Sequence, residues 1–398
     1  MPKTPASAKP ITLGRLADVV DSLAPFRLAY EWDNVGLQVG CPRAEVRDVL
    51  VALEVDERSL AAATGLRARA IIAHHPLIFQ PLRSLRTDSP TGNLVTRLVQ
   101  GGIGLIAAHT NLDRVADGTN GALARIAGLE NTRILEPHAL NEDFKLVVFV
   151  PTDHTHRVIE AVHAGGGGVI GNYSHCTFRA PGTGTYLPNE DANPFVGAAG
   201  RLEQAPEDRL EAVVPRRCLK AVVRAVLEAH PYEEVAYDVV PLHEALPRHG
   251  LGVEGELPAR VTLRALATRL HGACGADATS IIGRPADTVR RVAIITGSAG
   301  SSIRSISPER CDVLVTGELS HHLAAEARDR GLRVILLGHA ASEKVFAPHF
   351  ADLLRAHPAV AAAGVRVHTH TDFPEPARPL AVGPAKKRAP SARGKARR

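Results

Sequence analysis

Residues 48–76 read DVLVALEVDERSLAAATGLRARAIIAHHP. DVLVALEVD (48–56) is a short apolar run, the pattern of a strand buried on both faces. ERSLAAATGLRA then has the composition of a helix. ARAIIAHHP returns to a buried strand, which Pro76 stops. Strand, helix and strand in that order form a βαβ unit, which implies a mainly parallel or mixed sheet covered by helices.

Working outward, LGRLADVVDSLAP precedes this unit as an amphipathic helix. NLVTRLVQGG follows as a helix with a glycine stop, and IGLIAAHTNLD as a further strand. The last third repeats the style. RRVAIITGSAGSS reads as strand, glycine turn and helix start, CDVLVTGELSHH as a strand running into a polar turn, and HHLAAEARDRG as a helix stopped by Gly331. LRVILLGHAASEKVFAPHFADLLR reads as strand, turn and helix. The middle differs. KLVVFVP, HTHRVIEAVHAGGGG, a turn-rich stretch, RLEAVVP, RRCLKAVVRAVLEAH and YDVVPL follow a β-α-β…β-α-β order that suits a ferredoxin-like α+β sandwich. The expected organisation is therefore a mixed-sheet α/β core domain, residues 1–136 and 248–376, interrupted by an inserted α+β domain at 137–247, with a basic tail at 377–398.

Four strands end in polar residues at their carboxyl ends, where ligands gather in open α/β sheets. His74 and His75 follow IIA, and His109 and Asp113 lie in HTNLD. Glu318, His321 and His322 follow VLVTG, and His339 follows VILLG with Glu343 four residues on. The i, i+4 spacing of His339 and Glu343 puts both on one helix face. Adjacent His74 and His75 point opposite ways in an extended chain, so both serve one site only if the backbone turns there or two ions flank it. Three imidazoles and two carboxylates (His74, His75, Asp113, His339, Glu343) exceed one tetrahedral site that keeps room for water, and two metals with a bridging water fit better. Such nitrogen and oxygen donors suit Zn, Fe, Mn, Co or Ni without choosing among them. His109 and His322 remain as acid–base or supporting groups, with Glu318 able to polarise one of them. Each piece also has a plainer reading: HHP as a polar turn, Asp113 as a helix cap, GHAASE as a simple helix start.

Other signals are softer. Glu31-Trp32-Asp33-Asn34-Val35-Gly36 holds the single tryptophan and reads equally as pocket wall or structural loop. The TGSAGSS turn (296–302) can cradle an anion but lacks the lysine of a P-loop. His-Pro-Tyr-Glu-Glu (230–234), between a helix and a strand, reads as structural.

Together EWDNVGLQVG, IIAHHPLIF, AAHTNLD, VLVTGELSHH and GHAASE resemble the dinuclear-metal-centre family known as GTP cyclohydrolase 1 type 2, whose members include Nif-like hexameric proteins. The resemblance spans about residues 12–373. GNYSHCTFRAPGTGTYLPNEDANPFVG and AHPYEEVAYDVVPL look like the inserted domain of its longer members, which is similar to PII-type signalling domains. The resemblance implies metal ligands at His74, His75, Asp113, His339 and Glu343, the glutamate bridging two divalent ions per chain. It also implies a ring-shaped homohexamer. Where the family often carries Asp after the VTG strand, this chain has Glu318. The implied function is a metal-dependent hydrolase that uses metal-activated water on a small molecule such as a nucleotide. The alternative is a non-catalytic metal-binding regulatory or scaffold protein.

Composition bounds the partners. The 398 residues are 45% hydrophobic, enough for a large core, and the formal charge is +5. Residues 383–398 hold seven Lys or Arg and no acid, so the rest carries 5 − 7 = −2. The basicity is a property of the tail, which allows at most weak nucleic-acid contact. Five dispersed cysteines without C-x-x-C fit a reducing compartment. No apolar run of about 18 residues is present, so no membrane span is expected, and the expected location is cytoplasmic.

Overall fold

A computed structural model describes residues 10–138, 143–243, 249–373 and 376. The basic run 383–398 lies outside the described residues. The chain divides into two compact units: residues up to Pro137 together with those from Arg248 on, and His138–Pro247.

The first unit is mixed α/β and, among the described residues, contains two large sheets and a two-stranded ribbon that pairs Ile11–Thr12 with Glu45–Val46. One large sheet places Arg366–His370, Asp48–Ala52, Ala70–Ala73, Gly104–Ala107 and Gly36–Val39 side by side. The first four run parallel, and Gly36–Val39 closes the edge antiparallel. Every residue of Asp48–Ala52, Ala70–Ala73 and Gly104–Ala107 is buried, as expected of parallel strands covered on both faces. The flanking helices start on side-chain caps. Thr12 Oγ1 accepts from Arg15 N before Leu13–Leu23, and Asp56 and Ser59 form a reciprocal capping box at Glu57–Gly65. Ser89 caps Pro90–Gly101, and left-handed Gly102 (φ 62°) ends it, which is the glycine stop read from the sequence.

The second sheet runs Ser280–Ile282, Arg333–Leu336, Val313–Glu318, Thr288–Ser298, His249–Thr262, Glu130–His138. Its three central strands are parallel, and its edges add antiparallel neighbours. The Thr288–Ser298 and Val313–Glu318 pairing slips between Ile295 and Ser298, and Gly297 sits in that irregularity at φ +63°. The helix start expected after this strand is a short 3-10 turn, Gly300–Ser305. Buried Asn120, in the helix Thr119–Ile126, ties that helix to this sheet: Thr296 N donates to Asn120 Oδ1 at 2.8 Å.

The second unit follows the order Asp143–Pro151, helix Thr155–Ala164, Thr177–Tyr186, Glu203–Pro215, helix Leu219–Ala229, Tyr237–Pro241. Its antiparallel sheet runs Tyr237–Pro241, Asp143–Pro151, Glu203–Pro215, Thr177–Tyr186. Alternate strand residues Leu146, Val148, Val150, Leu210, Ala212 and Val214 form its core with Val158, Val162, Val222 and Val226 of the helices. Thr177–Tyr186 comes from the stretch read as turn-rich. It contains Pro181, which an edge strand tolerates because one side needs no ladder hydrogen bond. Among the described residues no helix is long and apolar enough to cross a membrane.

Candidate metal centre

The strand Ala70–Ala73 ends where its ladder begins to bend. His74 N still donates to Ala52 O (3.2 Å) and His75 N to Leu53 O (2.8 Å), and Pro76 then diverts the chain. Both rings now serve one cluster, with centroids 5.3 Å apart. The neighbouring strand Gly104–Ala107 leads to His109 and a single helical turn, Thr110–Asp113. The strand Arg333–Leu336 leads to Gly338 at φ +95° and the short helix His339–Glu343, whose spacing brings His339 Nε2 to 3.3 Å from Glu343 Oε2.

Outer acceptors orient these imidazoles. His74 Nδ1 donates to the Ala108 carbonyl at 2.8 Å, so that nitrogen carries the proton. His109 Nδ1 donates to Asp33 Oδ1 at 2.9 Å, and His339 Nδ1 to Glu318 Oε1 at 3.1 Å. His75 Nδ1 lies 3.8 Å from Glu54 Oε2, while its Nε2 donates to Glu343 Oε2 at 3.0 Å. Held at Nδ1, a histidine keeps Nε2 for a ligand, the arrangement found behind most metal-binding imidazoles.

The inner atoms fit a cation. His74 is 0% exposed, and its Nε2 has no hydrogen-bond partner. That atom lies 3.8 Å from Asp113 Oδ1 and 3.7 Å from Glu343 Oε1. These gaps are too long for hydrogen bonds. They are close to the roughly 3.4–3.6 Å that separates two donors each about 2.1 Å from a shared ion. Donor atoms of His74, His75 and His109 lie within 4.8 Å of one another, as do those of His75, His339 and Glu343. The two groups share His75.

Charge follows the geometry. Burial would raise the Glu343 carboxyl, but the imidazoles of His339, His74 and His75 hold it well below the usual carboxylate range. Burial opposes charge on His75, yet Glu343 and Glu54 lift it to about 10. Glu343, with Glu318, lifts His339 to about 9. Burial raises Asp113, and the Glu343 charge adds to the rise. Strong mutual perturbation of this kind is characteristic of functional sites.

The sequence-derived residues divide clearly. His74, His75, Asp113, His339 and Glu343 converge, and His109 joins them. Glu318 supports His339 rather than His109 or His322. His322 is exposed, and among the described residues its ring bonds only to Ser320. Asp113 does not cap the helix Thr119–Ile126, whose N-cap is Gly118 without a side-chain cap, although Thr119 Oγ1 donates to Asp113 Oδ1 and Asn120 Nδ2 to its carbonyl at 2.9 Å.

Two supports were not recognised from sequence. Asp33, in the EWDNVG loop, has a fully buried side chain. It accepts from His109 Nδ1, from Asn34 N (2.8 Å) and from Thr110 N (3.1 Å) and Oγ1. Gly297 of the TGSAGSS turn packs on Glu343: a Cβ there would sit 2.2 Å from Oε1. That turn lies against a carboxylate of the chain itself. Beside His109, Trp32 stacks on Tyr30 (5.3 Å, 10°) and meets Phe79 and His109 edge-on, leaving a 56% exposed ring at the edge of the centre.

Residues 11–375 match the family model described as Duf34/NIF3 (NGG1p interacting factor 3). The chain belongs to this family. A relative from Halalkalibacterium halodurans named GTP cyclohydrolase 1 type 2 homolog is 38% identical over 79% of this chain and 85% of its own. The Bacillus subtilis protein of the same name is 36% identical over 84% and 90%. Among solved structures, a Bacillus cereus protein related to NIF3 superposes with a TM-score of 0.78 at 37% identity. That match covers 93% of this chain and 99% of the other. The mixed α/β architecture agrees with that of the similar solved structure, and in this chain it carries His/Glu clusters able to bind metal.

Proposed function

We propose that this protein is a metal-dependent hydrolase in which His74, His75, Asp113, His339 and Glu343 would hold two divalent ions. The observation that carries the proposal is the fully buried, unpartnered His74 Nε2 facing two carboxylates, within a set of imidazoles held at Nδ1 from outside. The donor set is all nitrogen and oxygen, which suits Zn, Fe, Mn, Co or Ni. Divalent ions at such a site supply Lewis acidity that makes water a nucleophile near neutral pH.

The chain's own residues supply the rest. His109 is anchored on Asp33 and presents Nε2 to the cluster, where it takes up or delivers a proton. Glu318 fixes the His339 ring. Trp32 offers a flat apolar face to a planar group. The names of the relatives make a nucleotide the first substrate class to examine.

Purified full-length protein is expected to carry about two transition metals per chain and to release formate or phosphate from a nucleotide panel. Glu343→Ala should remove both properties. Unchanged turnover in that variant refutes the assignment. The second reading is a metal-binding regulatory or scaffold protein. The βαββαβ order of the inserted unit supports it, since this is the ferredoxin-like plan that PII-type domains use. Intact metals with no product from any nucleotide would favour that reading. The family resemblance also supports a cytoplasmic ring-shaped homohexamer, which light scattering on the eluted protein tests directly.

A further inference from the structure

The inserted unit holds a second concave site, with no residue in common with the metal centre. On the face of its sheet away from the helices lie Glu207, Phe149 and Tyr186. Segment 187–195 and Tyr232, Glu233 and Glu234 of the His-Pro-Tyr-Glu-Glu run join that face to border an open cavity of about 740 Å³. This is the size of a small-molecule pocket. The rings of Tyr186 and Phe195 each lie 6.2 Å from that of Tyr232.

Among these rings sits a carboxylate, Glu207, only 7% exposed. Its Oε1 accepts from the Tyr232 hydroxyl at 2.9 Å, and among the described residues Oε2 receives no hydrogen bond and no Lys or Arg pairs with it. Oε2 fills the place that a Cβ on Gly184 would take, 2.1 Å from it, so the glycine is what lets the carboxylate sit here. Arg209, the basic side chain of the lining, is engaged by Glu211 at 3.1 Å. His230 supplies no counter-charge. Its Nε2 donates to the Phe149 carbonyl (3.0 Å), its Nδ1 accepts from Tyr232 N (3.1 Å), and burial pushes it toward the neutral form. A buried carboxylate with one neutral donor is costly in a free protein, and aromatic walls favour positive charge.

The geometry points to a binding site for a small organic cation, an ammonium or guanidinium on an apolar or planar body, with its charge on Glu207 Oε2 and its body among Tyr186, Phe195 and Tyr232. An anionic ligand would meet Glu207, Glu233 and Glu234 with no unengaged cation in the described lining.

The test is calorimetry on the full-length protein with tryptamine, phenethylamine and agmatine. Indole-3-propionate and 3-phenylpropionate serve as ring-matched acids. At least one cation should bind at about 1 mM or tighter, and the acids should not. Glu207→Gln keeps an acceptor for Tyr232 and should weaken binding about tenfold or more. Gly184→Ala keeps the charge but crowds Oε2, and should give the same loss. Absence of binding by every cation overturns the inference, and is also what a face covered by another copy of the chain would give. Equal binding of the acids, or unchanged affinity in both variants, overturns it as well.

Discussion

Gly297→Ala isolates the geometry on which the metal centre depends. An alanine Cβ at this position lies 2.2 Å from Glu343 Oε1, whereas ordinary contact begins near 3.4 Å, so the oxygen must retreat by about 1.2 Å. Metal–ligand distances tolerate only about 0.2 Å, so the displaced carboxylate leaves coordinating range. The loss expected is at least the 10–100-fold of a damaged supporting shell, about 1.4–2.7 kcal/mol of metal binding. Alanine at φ +63° adds a backbone cost of about 1–2 kcal/mol that has nothing to do with metal. Gly300→Ala separates the two: its φ is +50°, and nothing lies within 4 Å of its Cβ. Metal retention against a graded chelator series, with thermal unfolding of both apo-proteins, gives the comparison. Gly300→Ala should show the backbone cost alone, Gly297→Ala should lose at least that much apo stability, and only Gly297→Ala should lose metal. Equal metal retention in the two would refute the placement of Glu343 as a ligand.

Three further outcomes follow from named contacts. Asp33→Asn turns one acceptor arm into a donor facing existing donors, leaving a buried bond unmade at about 1–3 kcal/mol. It should shift the His109 proton toward Nε2; nitrogen chemical shifts of labelled histidine read this, and an unchanged tautomer would count against Asp33 as the orienting group. His322→Ala should leave metal content and turnover as in the parent, because its ring bonds only to Ser320 among the described residues, and a loss of either would restore it as a candidate. Asp48 is held at about 2, chiefly by Arg366 (2.6 Å), with His368 adding a bond at 3.0 Å. A lowered carboxyl stabilises the fold above its unfolded value near 3.8 and loses that contribution as pH falls toward 2. The stability gap between parent and Asp48→Asn should therefore be widest near pH 6 and shrink below about pH 4. A gap constant with pH would show that the ion pair does not act.

Much of the site was legible because its ligands cluster at strand ends. Pro76 after HHP signalled the bend that lets adjacent histidines face one cluster, and the GHAASE spacing placed His339 and Glu343 together. What escaped notice depends on long-range packing. Asp33 reaches His109 across 76 residues, and nothing local in EWDNVG distinguishes a buried orienting carboxylate from a loop acid. Gly297 looked like part of an anion cradle because a left-handed glycine turn is identical whether it faces a phosphate or the chain's own Glu343. The His-Pro-Tyr-Glu-Glu run looked structural because its cavity forms only when Thr177–Tyr186 and Glu203–Pro215 pair. The alternation of strand and helix gave the α/β class, but not its separation into two large sheets. Apolar periodicity reports burial, not which buried strands become neighbours.

Anomalous diffraction from crystals of the full-length protein, recorded across transition-metal edges, bears most directly on the central claim. The account predicts two peaks flanking the Glu343 carboxylate, one within ligand distance of His74 Nε2 and Asp113 and the other beside His339. A single peak remote from His74 Nε2, or no peak in protein purified without chelators, would contradict it.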